Sequence, residues 1–93
     1  MPVKIKADKL TGKHDQLTHS ENLKVLSHVQ RPDGEWLINT IMIDGYDTPF
    51  RFRRKSRYKN IKGQRVNLTY YRETETIAGL EFEFMKVVRI KVS

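Results

Sequence analysis

Cysteine is absent from this 93-residue chain, so neither a disulfide nor a thiolate metal site can staple it. That absence fits a reducing compartment, and the expectation is a cytoplasmic protein. Long apolar runs are missing too. The longest are two or three residues, far below the ~20 a helix needs to cross a bilayer. Met1 to Leu10 carries Lys4, Lys6, Asp8 and Lys9, which breaks up the apolar core a secretory signal requires. Catalytic groupings are scarce as well. There is no thiol nucleophile, and no serine sits in a nucleophile elbow or beside a recognisable base. Thr11-Gly12-Lys13 lacks the glycine-rich loop that cradles phosphate. His14, His19 and His28 stand without a nearby carboxylate cluster, a poor metal-ligand set. The expectation is a non-enzymatic chain with no cofactor and no metal.

Acidic residues are absent from one stretch in particular. Between Arg51 and Arg65 there is none, while eight of the fifteen residues are basic: Arg51, Arg53, Arg54, Lys55, Arg57, Lys59, Lys62 and Arg65. The other 78 residues hold ten basic and eleven acidic side chains, so the formal charge of +7 comes from this one segment. Phe50, Phe52 and Tyr58 are interleaved with it. A concentrated positive field beside aromatic rings suits a polyanion, single-stranded nucleic acid above all.

The length allows one small domain, burying roughly 60–65% of its unfolded surface. Residues 1–20 read as a polar extension: Val3 and Ile5 alternate with lysines as a short edge strand would, and Asp8 to Ser20 holds only Leu10 and Leu17 as large apolar residues. Residues 21–93 read as β structure. Leu23, Val25 and Val29 share one parity; Arg31-Pro32-Asp33-Gly34 supplies the residues of a reverse turn. Glu35 to Asp44 is apolar on both parities, which predicts either burial on both faces or a bulge near Asn39-Thr40. Asp44-Gly45 signals a hairpin, and Pro49 opens a third strand with Phe50 and Phe52 on one face and Arg51 and Arg53 on the other. A basic connector follows, in which Ile61 is the candidate to cap a core. Val66, Leu68 and Tyr70 form the inward set of a fourth strand, with Tyr71 facing out. Glu73 to Gly79 reads as a connection with Ala78-Gly79 at its turn. The last strand keeps Leu80, Phe82, Phe84, Val88, Ile90 and Val92 on one parity, with a bend expected near Met85-Lys86. No stretch has a helical period.

Three strands, a basic connector and two strands predict an all-β, five-stranded antiparallel Greek-key barrel with a polar N-terminal extension. That order resembles the OB-fold, and Ile61-Lys62-Gly63-Gln64-Arg65-Val66-Asn67-Leu68 is similar to the segment before the fourth strand of many OB domains. The connector departs from that family in being short and polar for a capping helix, which keeps an SH3-like or Sm-like barrel as the alternative. The resemblance implies a single strand lying across strands two and three, gripped by adjacent loops, with Arg51, Arg53 and the Gly45–Pro49 turn on those elements.

Two readings of the basic segment compete. In the first, Arg51, Arg53, Arg54, Lys55, Arg57, Lys59 and Lys62 contact phosphates and Tyr58 stacks on a base. Arg51 and Arg53 would stand about 7 Å apart on one strand face, comparable to the phosphate repeat of an extended strand. In the second, Glu81 and Glu83 of the last strand pair with Arg51 and Arg53, leaving a solvated basic face or a surface that docks an acidic protein. Trp36, on a strand apolar on both sides, reads as core or barrel end ahead of a stacking platform. Tyr46 and Tyr71 are the expected exposed rings.

Overall fold

The computed structural model describes residues 17–93. Most of the expected N-terminal extension, including the Val3–Ile5 reading and His14, lies outside the described residues. Five strands account for most of the rest: β1 (Thr18–Asp33), β2 (Trp36–Ile43), β3 (Phe50–Arg54), β4 (Arg65–Ile77) and β5 (Leu80–Val92). Strand β1 thus begins inside the stretch read as extension. There is no helix among the described residues, hence none long and apolar enough to cross a membrane.

The strands form one sheet that closes on itself in the order β1-β2-β3-β5-β4. The all-antiparallel expectation is corrected at one seam: β3 and β5 run parallel. Arithmetic requires it. Directions that alternate around a ring of five cannot alternate at every contact, so one pair must run the same way. That seam is short, with only Phe50↔Met85 and Arg51↔Lys86 in register, extended by Met85 N–H donating to the Pro49 carbonyl at 2.8 Å.

Strand β1 reaches both of its neighbours by breaking register twice. Its first part pairs with β4 and its second with β2. One break falls between Ser20 and Leu23, where Asn22 takes φ 61° and its N–H is held by the Asn67 side-chain oxygen at 2.9 Å. Asparagine tolerates this left-handed backbone better than most residues. The other break, between Val25 and Ser27, turns Leu26 out to solvent. Such bulges sharpen coiling, which lets one strand leave one partner for another. The second also explains His28. The slip brings its parity inside, where a strict alternation from Val25 would leave it out.

Val25, Ile41, Ile43, Phe50, Phe52, Ile61, Val66, Leu68, Tyr70 and Val87 form the core cluster. Ile61 is fully buried, as its place in the polar connector suggests, and its N–H donates to His28 Nδ1 at 3.1 Å. His28 Nε2 in turn meets Asn39 Oδ1 at 2.8 Å, and Asn39 Nδ2 donates to the Leu37 carbonyl at 3.3 Å. Since Nδ1 accepts, Nε2 carries the proton. Asn39, a buried polar residue, is therefore satisfied at both ends of its amide. This resolves the two apolar parities of β2. Asn39, Ile41 and Ile43 face in, Trp36, Ile38 and Met42 face out, and the β2–β3 register is unbroken.

The turns differ from the expectation in two places. Arg31 to Asp33 remain in β1, and Gly34-Glu35 makes the two-residue connection, with Gly34 at φ 65°. A glycine with positive φ at the first central position is what a twisted two-residue hairpin requires. Ala78-Gly79 does turn the last hairpin, but the strands run right up to it. Glu73 to Ile77, read as a connection, is paired to Leu80–Phe84 residue for residue. Neither β1 nor β3 pairs with this part, so it projects beyond the ring as a two-stranded ribbon. In β5 the inward parity changes: Val87 pairs with Tyr70 and points in, Val88 is skipped in the register and lies exposed. Leu80 and Phe82, on the ribbon, are exposed instead of buried, while Tyr71 is buried instead of exposed.

Candidate functional site

The outer face of β2 and β3 is the floor of a groove of about 570 Å³. Its β3 side presents Arg51 and Arg53, and its β2 side presents Trp36 and Ile38. Cross-strand register sets Ile38 beside Arg53. One wall is the end of the β1–β2 hairpin, which supplies Asp33. The other is the β4–β5 ribbon, which supplies Glu75 and Phe84, with Lys86 and Val88 of β5 beyond it. A neighbouring chamber of about 350 Å³ continues past Arg51 and Glu75 toward Arg31.

Arg51 straps the ribbon to the ring. Its guanidinium donates two hydrogen bonds to Glu75, 3.2 and 3.1 Å long, and its Cζ lies 4.1 Å from the centroid of the Phe84 ring. The fork-to-fork geometry matches a carboxylate as no lysine could. Glu75, and not Glu81 or Glu83, is therefore the partner of Arg51. Glu83 lies 4.0 Å from Arg72 on the opposite face of the ribbon. The Arg51 hydrogen bonds hold the Glu75 carboxyl below its ordinary value near 4.5, against the opposing pull of desolvation. A group whose folded value is depressed stabilises fully above its unfolded value and loses that contribution as pH falls through the folded one. The stability gap between the wild type and Glu75→Gln, read from urea midpoints, is thus expected to be constant at neutral pH and to shrink below about pH 4.5. Both side chains are about a third exposed, at 29% and 35%, so solvent screens the pair and keeps that gap small.

Trp36 is the feature that the sequence pattern hid. It is 37% exposed on the groove floor. The Arg53 guanidinium lies 5.8 Å from its ring centroid and the Lys55 ammonium 5.2 Å. Lys55 also reaches Glu35 at 3.6 Å, an exposed contact of little energetic weight. Cations against an indole face gain from the ring quadrupole, roughly 0.5–1 kcal/mol where exposed. The result is an aromatic platform flanked by positive charge.

Tyr58 is differently placed. Its ring packs edge-on against Phe52 at 5.4 Å and against His28 at 6.2 Å, with the Arg54 guanidinium 5.3 Å from its centroid. Its backbone N–H and carbonyl are both held by the Gln30 side chain. Tyr58 closes the end of the core, and Arg54 covers both Phe52 and Tyr58. Tyr46, the other expected exposed ring, packs edge-on against Phe50 at 5.3 Å. Of the eight residues expected at an interface, Arg51, Arg53 and Arg54 line the groove, and Lys55 sits against its tryptophan. Arg57, Lys59 and Lys62 are exposed on the connector, outside the groove lining.

No three of His, Asp and Glu converge as a metal site among the described residues. His19 is engaged with Thr69 at 2.9 Å and Glu21 at 3.1 Å. No family model, curated protein or solved structure matches this chain.

Proposed function

We propose that this chain is a non-enzymatic domain that binds single-stranded nucleic acid across the outer face of β2 and β3. One observation carries the reading: the half-exposed Trp36, set in a groove and flanked by Arg53 and Lys55. An indole face takes any base by stacking, and neighbouring cations take the phosphates on either side. The ring order β1-β2-β3-β5-β4 and the two hairpins that wall the groove support an OB-type barrel, in which a strand lies across this same face. Arg53, Lys55 and Lys86 are the phosphate contacts at the groove. Arg57, Lys59 and Lys62 extend the field along the connector. Arg51, paired with Glu75, has a structural role first, and Trp36 takes the stacking role expected of Tyr58.

Docking of an acidic protein would use the same cations, but it has no need of a tryptophan on the groove floor. The test is fluorescence anisotropy with a labelled oligonucleotide at several salt concentrations. Neutralising four to six phosphates gives a slope of log K against log salt of roughly −3 to −4. Failure to bind more tightly than about 100 µM at low salt overturns the reading, since non-specific binders reach ~10⁻⁴–10⁻⁶ M even at physiological salt.

A further inference from the structure

A groove that only followed phosphates would exclude free carboxylates from its walls. This one keeps Asp33, whose side chain makes no hydrogen bond or ion pair among the described residues. Two residues earlier, Arg31 is equally unengaged. Both side chains line the smaller chamber, together with Pro32, Ile38, Arg51 and Glu75. Arg51 and Glu75 satisfy each other there. What the chamber offers a ligand is therefore one free fork of donors, Arg31, and one free pair of acceptors, Asp33, standing beside the apolar surfaces of Pro32 and Ile38.

We infer that this chamber is a guanine-reading subsite of the single-strand groove, an inference that rests on the nucleic-acid reading above. An ionised carboxylate only accepts hydrogen bonds. Guanine alone among the four bases has two adjacent donors, N1–H and N2–H₂, on one edge. Its other edge carries the O6 and N7 acceptors that an arginine fork matches. The amino groups of adenine and cytosine each sit beside a ring nitrogen that is itself an acceptor, which a carboxylate repels. Thymine and uracil flank a single ring N–H with two carbonyls and are repelled twice. Asp33 faces Trp36 across the β1–β2 ladder, so a guanine held in the chamber leaves the indole free to stack the next base along the strand. Pro32 and Ile38 would pack against the guanine ring.

The experiment compares oligo-dT carrying one central dG, dA, dC or deoxyinosine, by anisotropy at fixed salt. A bidentate base contact predicts a dG preference of about 5- to 150-fold over dA and dC, and a weaker one over inosine, which lacks the N2 amine. In Asp33→Asn and Asp33→Ala the ratio of dG to dA affinity is expected to fall toward one. Asp33 is exposed at the end of a hairpin, so neither substitution threatens the fold. Guanosine monophosphate and adenosine monophosphate serve as competitors to separate free nucleotide from strand. Selective displacement by the guanine nucleotide supports the subsite and shows that it reads the base without a strand. Retained dG preference without such displacement supports it within a strand. Equal binding of all oligonucleotides by the wild type, or a dG preference that both variants keep, overturns the subsite and leaves the groove standing. No binding of any oligonucleotide overturns both.

Discussion

Replacing Trp36 with alanine is expected to weaken single-strand binding by about 5- to 150-fold, the equivalent of the ~1–3 kcal/mol that one base–aromatic stack contributes. The unfolding midpoint should move little, because the ring is half-exposed and lies against the charged heads of Arg53 and Lys55. Trp36→Phe should retain most of the affinity, since a smaller ring still presents a face. Tyr58→Ala should behave in the opposite way. Its ring packs on Phe52 and His28, so its loss lowers stability before it touches affinity. The chain has a single tryptophan, and quenching of its emission on titration reads the contact directly. An alanine variant that binds as the wild type does, with Tyr58→Ala the one that loses affinity, would move the platform back to the connector.

Phe50→Ala should come close to unfolding the domain. Phe50 is fully buried, and it touches both Tyr46 and Tyr70 edge-on, at 5.3 and 4.9 Å between ring centroids. It also stands at the short β3–β5 seam, in register with Met85. Removing a buried phenylalanine costs about 3–5 kcal/mol, against the 5–15 kcal/mol that holds a whole domain together. For a domain of this size that is a fall in melting temperature on the order of 12–40 °C. Phe82→Ala is the control. Phe82 is 47% exposed on the ribbon and should change stability by no more than about 0.5 kcal/mol. Thermal denaturation followed by circular dichroism distinguishes the two, and equal losses would contradict the placement of the ribbon outside the ring.

That contrast shows what a sequence can and cannot reveal. Period-two alternation groups Phe82 with Phe84, and the grouping is correct. Alternation names the residues that share a face, however, and says nothing of what covers it. Phe84 lies under Arg51 while Phe82, two residues earlier, stands past the ring. The same limit applies to Trp36, which shares a parity with Ile38 and Met42. An apolar outer face of a strand has the same pattern as an inner one. The core itself was legible. Val66, Leu68, Tyr70, Phe50, Phe52 and the capping Ile61 all lie where their spacing puts them. What broke the reading elsewhere were single-residue slips: one at Leu26, which reverses parity for the rest of β1, and one at Val88, which itself turns out while Ile90 and Val92 beyond it pack against the core as read. The partner of Arg51 was hidden for another reason. Glu75 is 24 positions away on a segment that reads as a loop, and it meets Arg51 only because that segment continues β4 as a strand paired to β5.

The parallel seam has a mechanical side. Four of the five joints in the ring are long antiparallel ladders, and the fifth holds two residue pairs. A closed hoop opens at its thinnest link, so breathing of this domain should begin between β3 and β5. The groove lies astride that link, with Phe52, Arg53 and Arg54 on one lip and Val87 and Val88 on the other. A ligand seated there touches both lips at once and acts as a clasp. The same gap that makes the ring weakest gives its ligand the most leverage over how tightly it is shut.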